Sequence, residues 1–197
     1  MGSESTGTAG ASALPGRLWD RGEVVGAAVL AFAGIAWFGW AQEDPPSSWV
    51  PFLIAGSVVS AILLLALVVL LARRRTTGGS PMADPRVRRH YWVTVAIEVV
   101  LIVAGNLLLA AVGHPEYDAA WTLFVVGVHF VPLARIFDSR GLALTGAVAA
   151  VAAVAAACVG LASDLAPSGA AGVGGGVVFI GYAMWVLGRR RPTRPVT

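Results

Sequence analysis

Residues 49–75 read WVPFLIAGSVVSAILLLALVVLLARRR, and this stretch decides the fold. From Trp49 to Ala72 there is no charged side chain, and three arginines follow at once. A helix needs about 20 consecutive apolar residues to cross the hydrocarbon core of a bilayer. The stretch therefore predicts a transmembrane helix that ends where its arginines reach the membrane surface.

Five further stretches have the same character, and each is bounded by a helix breaker or a charged cluster. The predicted spans are residues 22–41, 49–72, 91–112, 119–137, 142–162 and 169–187. The composition agrees, because 57% of the 197 residues are hydrophobic and only 13% are charged. Soluble domains are about half apolar and a quarter charged. The sequence thus predicts an all-α integral membrane bundle of six transmembrane helices.

The remaining segments are short. Residues 1–16, MGSESTGTAGASALPG, are small and polar and predict a disordered tail. Residues 17–188 form the predicted transmembrane domain, and residues 189–197 form a basic tail. The net charge of +3 does not indicate nucleic acid, because the basic residues sit in clusters between apolar spans rather than on one face.

The arginines predict the orientation of the bundle. Cytoplasmic loops carry an excess of basic residues. All 14 basic residues are arginine, and with six spans they all fall on one side. The opposite loops carry Glu43, Asp44, Glu116, Asp118 and Asp164 without an arginine. Both termini are therefore predicted to be cytoplasmic. The arginine- and alanine-rich composition is typical of a GC-rich bacterium. We therefore predict that the protein lies in a bacterial cytoplasmic membrane.

The fifth and sixth spans are rich in small residues. Gly172 and Gly176 have the GxxxG spacing, which lets helix backbones approach closely. We interpret the pair as a helix-packing motif within one bundle. A dimer face is the alternative interpretation.

Two ionisable residues lie deep within predicted spans. Glu98 lies seven residues beyond Tyr91, and His129 lies eight residues before Phe137, so the helical rise puts them about 10 Å and 12 Å from the same membrane face. The short connection GHPEYD makes their helices antiparallel neighbours. A charge near the bilayer centre costs about 3 kcal/mol, so Glu98 is expected to face the bundle interior, to find a partner or to be protonated. We therefore predict that Glu98 and His129 meet.

Three further residues complete the candidate intramembrane polar site. Asn106 lies two turns beyond Glu98 and is expected to share its inner face. Arg135 is expected either to reach the headgroups or to turn towards Glu98. Pro132 cannot donate a backbone hydrogen bond to Val128, which predicts a helix kink at this point.

The sequence points to no recognisable chemistry. It contains no metal-ligand cluster, no nucleophile motif and no cofactor motif, so no catalytic residue, metal or cofactor is predicted. We expect a non-enzymatic membrane component that meets the lipid bilayer and either a second copy or another membrane protein. A small proton- or solute-coupled transporter or channel that uses Glu98 and His129 is the alternative. An intramembrane enzyme built from Ser57 or Ser60 with His129 is the third class.

Overall fold

The computed structural model describes residues 19–43, 45–73, 76–78 and 81–189. Within these residues, six helices are long and apolar enough to cross a membrane. They are α1 (Arg21–Trp40), α2 (Val50–Ala72), α3 (Pro85–Ala111), α4 (Asp118–Ile136), α5 (Arg140–Ala162) and α6 (Pro167–Gly188). The predicted all-α fold with six apolar helices is confirmed. The predicted tail at residues 1–16 and the tail residues 190–197 lie outside the described residues.

Five of the six helices begin and end within two residues of the predicted spans, but α3 begins at Pro85 rather than near Tyr91. The additional first turns of α3 contain Arg86, Arg88 and Arg89. A span defined as a run of apolar residues therefore begins after them. Asp84 starts the helix, because its side chain accepts a hydrogen bond from the Arg86 backbone N–H at 2.8 Å. Proline at the first helical position suits this start, since its fixed φ is already helical.

The helices pack in the spatial order α2, α1, α6, α5, α4, α3, with α4 and α5 in the most extensive contact. Consequently α2 and α3, which are consecutive in the sequence, lie at opposite ends of the row. The centre is tightly packed, with Phe38, Phe179 and Leu123 fully buried. In contrast, within the described part of the chain α3 packs extensively on one helix only, α4, and none of its residues is fully buried.

A two-stranded parallel sheet lies at one end of the bundle. Trp19–Asp20 (β1) pairs in parallel with Thr76–Thr77 (β2). The Trp19 indole also donates a hydrogen bond to the Leu187 carbonyl at the end of α6, at 3.3 Å. These contacts tie the start of α1 and the loop after α2 to the end of α6.

Candidate functional site

The side of α3 that faces α4 follows a regular spacing. Tyr91, Val95, Glu98, Ile102, Gly105 and Leu109 are all half-buried, whereas most residues between them are exposed. Steps of alternately four and three residues keep one helix face against a neighbour, as in coiled coils. This face of α3, together with the α4 side chains that contact it, is here called the α3–α4 seam. It contains most of the polar side chains of the candidate site.

Glu98 and His129 meet in the seam. The His129 Nε2 atom lies 3.4 Å from Glu98 Oε2. The His129 side chain is 6% exposed and that of Glu98 is 17% exposed. The Thr94 backbone, one turn before Glu98 on α3, also lies near the imidazole. His129 therefore faces two consecutive turns of the neighbouring helix.

A second polar contact lies further along the seam. The Asn106 Nδ2 group donates to the Thr122 hydroxyl at 3.3 Å. The Asn106 Oδ1 atom is buried and has no hydrogen-bond partner in the structure. A buried amide oxygen without a partner costs about 1–3 kcal/mol, so this contact is only partly compensated.

Trp121 lies between these two levels. Its Nε1 donates to the Leu101 carbonyl at 3.0 Å. The indole ring lies directly against Gly105, where no side chain stands in its way. The ring therefore contacts α3 at Leu101 and Gly105, which lie between Glu98 and Asn106 in the sequence. The polar groups form two local contacts rather than one continuous chain.

The remaining predicted residues lie near the seam on α4. Pro132 lies within α4, which is assigned as one helix from Asp118 to Ile136. Arg135 is exposed in the last turn of α4. Among the described residues, the ionic contact of Glu98 is with His129 and not with Arg135.

Gly172 and Gly176 pack against α1 of the same chain. A Cβ atom built on Gly172 would lie 2.6 Å from the Ala41 Cβ atom and 2.7 Å from the Trp37 carbonyl oxygen. A Cβ atom built on Gly176 would lie 2.5 Å from the Phe38 ring. Both glycines therefore permit a close α1–α6 contact inside the bundle.

The two membrane serines lie away from the seam. The Ser57 hydroxyl accepts a hydrogen bond from Gln42 Nε2 at 3.4 Å. The Ser60 hydroxyl is fully buried beside Gly34 of α1 and has no hydrogen-bond partner in the structure. Both lie on α2, which packs on α1 and α6, whereas His129 faces α3. These serines and the imidazole thus belong to different interfaces.

The seam combines a carboxyl and an imidazole, which can exchange a proton with each other. Two surface grooves, of about 270 Å³ and 340 Å³, have apolar walls, and neither is lined by Glu98 or His129. Among the described residues, no three His, Cys, Asp or Glu side chains group as metal ligands. The direct chemical capacity of the pair is therefore to hold, accept or release a proton.

The six apolar helices are consistent with a multi-pass membrane protein. No family model, no curated protein and no solved structure matches the chain.

Sequence reasoning did not find Thr94, Thr122, Trp121 or the close contact between Gly127 and Gly146. Thr94 and Thr122 are single hydroxyl residues in apolar runs, and such residues usually bond to their own helix. Trp121 reads as a membrane-interface aromatic because of its position near a span end. The signal in the sequence was the glycine next to Asn106, because Gly105 leaves space for the Trp121 indole.

Proposed function

We propose that the protein is a non-enzymatic membrane component in which the Glu98–His129 contact holds the edge helix α3 in register on α4. One observation carries this proposal: the two side chains meet at 3.4 Å across an interface that is the main attachment of α3 to the bundle. Such a component acts as an accessory subunit or an assembly partner in the cytoplasmic membrane of a bacterium.

The packing of α3 explains why a polar contact is useful there. The described part of α3 has no fully buried residue, so apolar packing specifies its rotation and depth only weakly. In lipid, apolar side chains gain little by meeting each other, and interhelical hydrogen bonds of about 1 kcal/mol help to fix a neighbour. The contact of the His129 imidazole with Glu98 restricts both the depth and the rotation of α3 on α4.

The proposal is tested by a distance reporter in the same seam. In a Cys158→Ala background, Asn106→Cys and Thr122→Cys provide two thiols at positions whose side chains are in contact. We expect a short thiol cross-linker to join them efficiently, and Glu98→Gln or His129→Gln to lower the yield. Arg88→Gln, an exposed change on α3, is the matched control. Unchanged yield in both seam variants would contradict the register role.

A second candidate function is a small proton- or solute-coupled transporter or channel. It is favoured by the contact of a carboxyl with an imidazole within membrane helices, where ionisable residues often mark ion pathways. This function predicts that Glu98→Gln and His129→Ala abolish a flux in proteoliposomes while the folded fraction stays the same. Loss of folding stability without loss of flux supports the register role instead.

A further inference from the structure

A groove between α5 and α6 lies at the arginine-rich end of the bundle. Its walls include Leu144 and Val148 on α5, and Val178, Tyr182 and Trp185 on α6. From Gly141 to Val148 it follows α5 for two turns, about 10 Å. The groove has a volume of about 270 Å³ and opens towards the surroundings of the helices.

Gly181 lines the groove and has no side chain. A Cβ atom built on Gly181 would have nothing within 4 Å, so the groove has room for a side chain at this position. Leu144 and Val148 are 66% and 45% exposed and present apolar surface along one side. The Thr145 hydroxyl donates to the Gly141 carbonyl of its own helix at 2.8 Å. The groove therefore presents a hydrocarbon-like surface.

The end of the groove is aromatic and cationic. The Arg189 guanidinium carbon lies 4.2 Å from the centre of the Trp185 ring. Trp185 in turn packs against Gly141, whose neighbour Arg140 is exposed at the start of α5. A tryptophan at the membrane interface marks the level of the headgroups. Arginine binds phosphate through paired donors, so Arg189 offers a phosphate-binding group at this end of the groove.

The acidic residues at this end are occupied or offset. Asp20 and Glu23 lie near Tyr182, and Asp138 precedes the start of α5. The Asp20 carboxylate accepts a hydrogen bond from the Glu23 backbone N–H at 3.1 Å and caps α1. Arg21, Arg140 and Arg189 are all exposed and carry charges opposite to those of Asp20, Glu23 and Asp138.

From this geometry we propose that the groove binds one phospholipid, with an acyl chain between α5 and α6 and the phosphate against the Arg189 guanidinium. The acyl chain contacts the apolar walls of the groove, and the Arg189 guanidinium stacked on Trp185 is already positioned for the phosphate. Pre-positioning lowers the entropy lost when the contact forms.

Two variants separate the chain contact from the phosphate contact. Gly181→Leu fills the groove, and Gly26→Leu is its control, because a Cβ atom at Gly26 also has nothing within 4 Å. Arg189→Gln removes the phosphate partner, and Arg88→Gln on exposed α3 surface is its control. The probes are phosphatidylglycerol and diacylglycerol, which share acyl chains but differ in the phosphate headgroup.

Native mass spectrometry of the full chain in detergent measures one-to-one lipid retention. We expect phosphatidylglycerol to be retained about fivefold better than diacylglycerol, since one arginine contributes about a factor of five near a membrane surface. Arg189→Gln should remove that preference, and Gly181→Leu should lower retention of both lipids, with both controls unchanged. Equal retention of the two lipids by the wild-type chain, or retention unaffected by Gly181→Leu, would overturn the proposal.

Discussion

Gly127 on α4 and Gly146 on α5 bring two helix backbones into direct contact. A Cβ atom built on Gly127 would lie 2.7 Å from the Gly146 carbonyl oxygen, and one built on Gly146 would lie 2.5 Å from the Gly127 carbonyl oxygen. The relationship is reciprocal, so the two glycines form one contact point. It lies between α4 and α5, the two helices with the most extensive contact in the bundle. This contact holds α4, which carries His129, against the core.

Replacing either glycine should push the helices apart. At Gly127 the atoms that a new methyl group meets belong to the α5 backbone, so they cannot rotate away. We expect Gly127→Ala to lower the free energy of unfolding by about 1–3 kcal/mol, the usual range for overpacking. Gly26→Ala, at an open position on α1, should leave stability the same or slightly higher. Thermal unfolding in detergent provides the comparison, and equal effects of the two changes would contradict this contact.

The packing of Trp121 on Gly105 gives a conditional prediction. Gly105→Ala should displace the indole, break its bond to the Leu101 carbonyl and lower stability by about 1–3 kcal/mol. In a Trp121→Ala background the added methyl group meets no ring, and the penalty should disappear. Unfolding measurements on the two singles and the double test this. A penalty that persists without Trp121 would show that another neighbour is responsible.

Asn106 and Thr122 should be energetically coupled. A double-mutant cycle with Asn106→Leu and Thr122→Val is expected to give a coupling energy of about 0.6 kcal/mol, typical for such bonds in membrane proteins. Because Asn106 Oδ1 is buried without a partner, Asn106→Leu alone should cost little or even stabilise. A large loss of stability in that single variant would indicate a partner for this oxygen.

The orientation predicted from the arginines has its own test. Reporter fusions after Arg75 and after His114 should report the cytoplasmic and the external side respectively, because the arginines cluster on one side of six spans. Truncated fusions after residues 43 and 163 should both report the external side. The reverse pattern would overturn the orientation and leave the fold unaffected.

The fold could be read from the sequence because a membrane helix needs length and apolar composition, and both are local properties. The level of Glu98 relative to His129 also follows locally, from the helical rise and a short connection. The spatial order of the helices could not be read, because it depends on contacts between distant residues such as Gly127 and Gly146. Nothing in the run around Glu98 indicates that α3 lies at the edge of the bundle. The start of α3 at Pro85 was also missed, because Asp84 caps a turn that lies outside the apolar span.

The most direct test of the register role is a double-mutant cycle on Glu98→Gln and His129→Gln, with stability and proton flux measured on the same preparations. We predict a coupling energy of about 1 kcal/mol in the free energy of unfolding, within the range of interhelical polar contacts. Proton conductance of proteoliposomes should be the same for the wild-type chain and all three variants. Additive stability effects, together with a conductance that is lost when either residue is replaced, would contradict the account and assign the pair to proton movement.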